Sequence, residues 1–246
     1  MADLTPIKEQ LKTLAASCGY PPRRVEVKDN GSSHTLTCDY VGKREETHVA
    51  IARLTKSLSD GGLVELPQGS VASEENLYNT FRQTARDRDT FLGNITLTGK
   101  SDTMFTLSIK TPLPADTIAL KLQDALGAHA RKEAKQQITH YMADRIKQRL
   151  PGYTCNITKT SVSPTQETFS MYLENASAVI PAAVFRMDMV DLLERAERIF
   201  GDTTAVNLSL QNNTGTLSVT GNPAQLLDAI KQKDPHFISP QTGKTR

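Results

Sequence analysis

Apolar residues recur along this chain with two alternating periods, and the switches between them mark out its elements. Over residues 4–18, Ile7, Leu11 and Leu14 fall at helical spacing, Pro6 suits a first turn and Gly19 stops the helix. Period-two alternation follows in Val25 and Val27, then Leu36, Cys38 and Tyr40, then Val49 and Ile51. "NGSS" and "GK" separate the runs. This predicts a three-strand meander with one buried face. Residues 53–72 lose the period, and inside them "GGLVELPQG" is a short apolar run between breakers. A helix capped by Ser73 is predicted to run to about Phe91, with Leu77, Phe81 and Ala85 at four-residue spacing. Ile95 and Leu97 are answered by Phe105, Leu107 and Ile109, and a helix follows Pro114.

The second half repeats this order. Ile138, Met142 and Ile146 mark a helix that ends at Pro151-Gly152. A hairpin over about 153–173 puts Phe169, Met171 and Leu173 on one face. "DMVDLLERAERIFG" predicts a helix with Asp188 as its cap and Gly201 as its stop. Strands 204–210 and 215–220 turn at "NNTG", and Asn222-Pro223 opens the last helix. "TLSIK" and "LQDAL" of the first half are paralleled by "TLSVT" and "LLDAI" of the second. The expected fold is therefore α+β: two open-faced antiparallel sheets covered by helices, in tandem α-β-β-α-β-β-α units. A homodimer or an intramolecular pseudo-dimer would suit such units.

Residues 115–149 predict one helix roughly 50 Å long at 1.5 Å per residue. Ile118, Leu122, Ala125 and Leu126 form one apolar stripe, whereas Ile138, Met142 and Ile146 form another on a different side. A helix whose apolar face switches serves two cores, with a solvated joint or a break near Gly127. The expected domains are thus residues 1–127 and 128–234, followed by a loose tail over 235–246.

Charge sharpens this picture at one place. The net formal charge is only +2, yet residues 114–150 hold seven Lys/Arg against four Asp/Glu. Arg131, Lys135, Arg145 and Arg149 form a basic stripe on this helix. His129, Glu133, His140 and Asp144 share its other side, which is expected to be solvated. A metal site there is excluded because Glu133 and His140 lie about 10 Å apart along the axis.

Catalytic motifs are missing. Gly99-Lys100-Ser101 imitates the end of a phosphate-binding loop, but the required upstream glycine position holds Asn94. The triplet joins two strands and is read as a hairpin turn, with Gly99 supplying an unusual φ. There is no G-x-S-x-G, H-E-x-x-H or G-x-G-x-x-G. His34 and His48 alternate with the buried positions and are expected at the surface. No cofactor and no metal are expected. Nucleic acid is not expected either, since no RNA-recognition motif or interleaved aromatics accompany the basic stripe. Three widely spaced cysteines, Cys18, Cys38 and Cys155, suit a reducing cytoplasm. "MADLTPIKEQ" has no secretory signal pattern, and no window nears the roughly 18 apolar residues of a membrane helix.

Three stretches resemble the class I chaperones of bacterial type III secretion. "IKEQLKTLAASCGYPP" resembles their first amphipathic helix, "TFLGNITLTGKSDTMFTLSIKTPLP" their second hairpin, and "ADTIALKLQDALGAHARKEAKQQI" their closing helix. The resemblance covers residues 1 to about 137. It implies a cytosolic, usually dimeric protein that holds an extended partner segment without ATP. Members are usually acidic and lack a second half, and this chain departs on both counts.

Together these readings predict a non-catalytic module for a protein or extended peptide, chaperone- or adaptor-like. The alternative is an enzyme with a dispersed active site. The expected docking residues are Val49 and Ile51 in an edge strand, with Leu63, Val64 and Leu66 in the apolar run beside it.

Overall fold

The computed structural model describes residues 3–67, 73–150, 152–175, 180–201 and 205–234. The expected tail at 235–246 lies outside them. The chain divides into two compact units, residues 1–129 and 130–246.

In unit 1, α1 (Thr5–Ser17), β1 (Arg24–Asp29) and β2 (His34–Val41) lead into α2 (Arg44–Asp60) and α3 (Glu74–Phe81). Then come β3 (Arg88–Leu92), β4 (Ile95–Gly99), β5 (Met104–Thr111) and the start of α4 (Ala115–Arg149). Unit 2 holds the rest of α4, then β6 (Thr154–Ser163), β7 (Gln166–Glu174) and α5 (Ala182–Phe200). It ends with β8 (Ala205–Gln211), β9 (Thr214–Gly221) and α6 (Pro223–Lys233).

The fold is α+β with two antiparallel sheets, ordered β1-β2-β5-β4-β3 and β6-β7-β9-β8. Without β3 the first order matches the second strand for strand. In each, two hairpins are joined by a helix, α2 or α5, and a further helix follows the last strand. Unit 1 differs by the insertion of α3 and β3. The matching letters occupy matching places: "TLSIK" lies in β5 and "TLSVT" in β9. Leu107 of β5 faces Cys38 and Leu97, and Leu217 of β9 faces Met171 and Leu208.

Four expectations are corrected. Val49 and Ile51 lie on α2 and form no third meander strand. Glu45 and Glu46 favour a helix N-terminus there. Ala50, Ile51, Leu54 and Leu58 bury one side of it, joined by Thr47, His48 and Thr55. The helix capped by Ser73 ends at Phe81, because Asp87 turns to φ 57° and Arg88–Leu92 pairs with β4. α5 starts at Ala182, so Asp188 lies inside it and accepts a hydrogen bond from the Tyr153 hydroxyl. The two histidines are buried. His34 donates from Nδ1 to the Leu113 carbonyl at 3.0 Å, and the His48 ring packs 4.4 Å from the Phe105 ring centre.

The long helix is continuous. Its residues Ile118, Leu122 and Ala125 enter the unit 1 core, while Ala134, Ile138 and Met142 enter that of unit 2. The switch of apolar face therefore needs no break at Gly127; the Ile146 side chain lies outside the description. Gly99 does close the hairpin into β5, with the Lys100 N–H donating to the Met104 carbonyl at 2.9 Å. Its φ is not positive. Glycine is required because an added Cβ would meet the Ala85 carbonyl oxygen at 2.4 Å.

The three cysteines are free: Cys18 and Cys38 are buried and Cys155 is half-buried. Among the described residues, no helix is long and apolar enough to cross a membrane.

Candidate functional site

The apolar run expected to receive a partner is already committed to its own unit. Leu63 and Val64 are 2% and 4% exposed within the unit 1 core, Leu66 packs against it, and Ile51 is fully buried. Val49 alone reaches the surface, on the outer side of α2. Backbone groups of Leu63, Val64 and Glu65 are occupied as well, and Gln68 and Gly69 lie outside the described residues. The N–H groups of Leu63 and Val64 both donate to the Leu58 carbonyl, at 2.9 and 3.3 Å. Asn94 accepts from the Glu65 N–H at 3.1 Å and donates to the Leu63 carbonyl at 3.3 Å. Gly93 permits this contact: its φ is +60°, and a Cβ there would lie 1.8 Å from the Glu65 carbonyl oxygen. These bonds take up the N–H groups of Leu63, Val64 and Glu65 that an extended peptide would need.

The basic stripe divides in the same manner. The Lys135 ammonium pairs with the buried Glu167 carboxylate. Arg145 donates to Asp234 at 2.6 Å, and its guanidinium lies 5.5 Å from the Tyr141 ring centre. Arg131 is half-buried, whereas Arg149 is exposed. Of the side expected to be solvated, His140 and Asp144 form an exposed pair at 3.0 Å. His129 is buried. Its Nε2 lies 3.3 Å from the Ser17 carbonyl, which only accepts, so Nε2 carries the proton. Nδ1, 3.1 Å from Ser57 Oγ, then accepts from that hydroxyl in the neutral ring. His129 thus ties the ends of α1 and α2 to α4.

Unit 2 is built differently at the corresponding place. Matching "LQDAL" of α4 to "LLDAI" of α6 puts Lys233 where unit 1 has His129. There a pocket of about 240 Å³ opens between α4 and α5, next to the end of α6. Its floor is the inner face of the sheet, Met171 of β7 with Leu217 and Val219 of β9, together with Met142 of α4. Leu192, Ala196, Ile199 and Phe200 of α5 form one wall. Tyr141, Arg145 and Arg149 stand on the α4 side, and Arg195, Arg198 and Lys233 complete the rim. Among the described residues Asp234 is the one carboxylate in this lining, and it accepts from both Arg145 and Tyr141. Burial and the Asp234 carboxylate push the Tyr141 phenol well above its usual value, so it stays protonated and donates.

The stripe thus contributes only Arg145 and Arg149 to the pocket. Arg195 and Arg198 were missed because their role depends on α5 crossing the same sheet as α4, which no local spacing records. The hint lay in "ERAERIF", where two arginines three apart flank the apolar residues of one helix side.

This sequence matches no protein-family model and no curated protein. The chemistry of the site must be read from its residues. The described residues of the lining include no His, Cys, Ser or Thr. Among the described residues, no group of three or more His, Cys, Asp or Glu is placed to hold a metal ion. An apolar floor with fixed cations at its rim is equipped to bind.

Proposed function

We propose that this chain is a non-catalytic protein-binding module, adaptor- or chaperone-like, that holds an apolar segment of a protein partner between α4 and α5. The observation carrying this reading is the apolar pocket between the two helices, floored by the core residues Met142, Met171, Leu217 and Val219 and walled by the half-buried Leu192 and Ile199. Thioethers adapt to differently shaped apolar groups, which suits a surface that receives side chains. The pocket is also small. At about 240 Å³ it falls below the roughly 300–1,000 Å³ typical of sites that enclose a whole small molecule. By the scale of a ~150 Å³ cavity that holds benzene, it takes one or two apolar side chains of a longer chain. The resemblance of the first half to secretion chaperones, and three unpaired thiols suited to a reducing cytoplasm, support a protein partner in that compartment.

The test is a comparison between two forms of the chain. Ile199, half-buried in the α5 wall, is changed to Asp. The wild-type chain is expected to retain a discrete protein from a native lysate and Ile199→Asp to lose it, with both showing similar thermal midpoints. Identical retained proteins would refute the reading, as would a tightly held small molecule with no protein partner.

A further inference from the structure

We infer that the occupant of the unit 2 pocket is an acidic amphipathic segment, whose apolar side chains enter the floor while its carboxylates meet the arginine rim. This rests on the pocket being a protein-binding site, as proposed above, and adds the chemistry of the partner.

The charge pattern around the opening carries the inference. Among the described residues, Arg145, Arg149, Arg195, Arg198 and Lys233 line the pocket together with a single carboxylate, Asp234. That carboxylate is already engaged by Arg145 and by the Tyr141 hydroxyl. Arg149 and Arg198 are exposed, and no carboxylate among the described residues pairs with either. Among the described residues, the one ion pair of Arg195 is an exposed contact with Asp191, at 3.6 Å and one turn back on α5. Exposed pairs of this kind are worth little, so a ligand carboxylate can replace Asp191. Asp188, which shares a neighbouring pocket with Arg149 and Arg195, is held by Tyr153. Three guanidiniums therefore face outward across an apolar floor, and each can hold a carboxylate with two parallel hydrogen bonds.

The two units sharpen the contrast. Unit 1 closes the equivalent meeting of helix ends internally, through His129 bonded to Ser57 and the Ser17 carbonyl. Unit 2 places Lys233 at that position and a rim of arginines around it. A gap that one copy fills from within is, in the other, apolar and rimmed mainly by cations. Such a surface selects a ligand that is apolar and carries the opposite sign. Nucleic acid fits poorly, because binding of single strands relies on aromatic faces open for stacking. Tyr141, by contrast, is half-buried with Arg145 over its ring.

The experiment uses the full chain and three short synthetic helix-forming peptides. All three carry leucines on one face, with Glu, Gln or Lys on the other. Binding is read by fluorescence anisotropy, and the site by the methyl resonances of Met142 and Met171. The Glu peptide is expected to bind about tenfold tighter than the Gln peptide, equivalent to about 1.4 kcal/mol. The Lys peptide should bind weakest of the three. The advantage of Glu should shrink with salt, and it should vanish in Arg149→Glu/Arg198→Glu, whose thermal midpoint is expected to match the wild type.

Equal affinity for the Glu and Gln peptides, with both methionine methyls shifting, would overturn the acidic partner and leave the apolar site standing. No shift with any peptide would overturn both. A chain ended at Asp234 that binds when the full chain does not would name residues 235–246 as the occupant. That outcome, too, would overturn the acidic partner.

Discussion

Leu63→Asp is expected to unfold unit 1 rather than to disturb a binding surface. Leu63 is almost wholly buried, its N–H is bonded to Leu58, and its carbonyl accepts from Asn94. Truncating a buried leucine alone costs about 2–5 kcal/mol. Placing an unpaired carboxylate in the same space adds a desolvation cost, or forces the group to take up a proton. The sum approaches the roughly 5–15 kcal/mol that stabilises a typical domain. Circular dichroism during urea titration should therefore show a first transition moved to much lower denaturant, or lost. Leu66→Asp, only partly buried, should move it less. Phe91→Asp, at a side chain 72% exposed, should leave it in place. An unchanged midpoint for Leu63→Asp would return this segment to the surface and revive it as a docking edge.

The second large effect is expected on acidification, through His48. Its ring is buried on α2 against Phe105, and its Nε2 has no hydrogen-bond partner among the described residues. Burial, helped by the neighbouring Arg44 guanidinium, lowers its pKa from 6.5 to about 4. In the unfolded chain the ring takes up a proton near 6.5; in the folded chain it resists until about 4. The unfolded state therefore binds more protons through that window, and stability falls as pH falls across it. Above 6.5 the contribution is intact, and below 4 the loss is complete. The shift corresponds to about 3 kcal/mol. His48→Leu removes the titrating group and an unsatisfied nitrogen while keeping the apolar contact. Urea midpoints at pH 7 and pH 4 should separate widely for the wild type and much less for His48→Leu. The same separation in both would assign the acid sensitivity to other groups.

The α+β class and the tandem order were legible because they are written in local periods. The alternation in β2, β5, β7 and β9 and the "TLS" strands followed by "DA" helices are visible without knowing any distant contact. α2 was misread for a related reason. Three letters, Val49-Ala50-Ile51, fit alternation, while the helical repeat around them includes Thr47, His48 and Thr55, polar residues that the fold buries. Burial of a hydroxyl or an imidazole is decided by what packs on it, and a list of apolar positions leaves it out. The pocket failed to show for the same physical reason. Its floor comes from β7 and β9 and its rim from α4, α5 and α6, elements separated by up to about 90 residues along the chain. The basic stripe was visible as letters, but only the fold shows Lys135 held by Glu167 and Arg149 left to the solvent.

The distribution of thiols has a chemical consequence. Burial pushes both Cys18 and Cys38 up to about 12, and both belong to unit 1. Cys155 of unit 2 is half-buried and is raised for the same reason. Since the thiolate is the attacking form, Cys18 and Cys38 are nearly inert toward alkylating reagents while unit 1 is closed. Each opening of unit 1 exposes both at once, whereas Cys155 reacts on a schedule set by unit 2. The chain thus carries a separate chemical clock in each half, and counting the labels acquired per molecule over time would time each half's opening without any added probe.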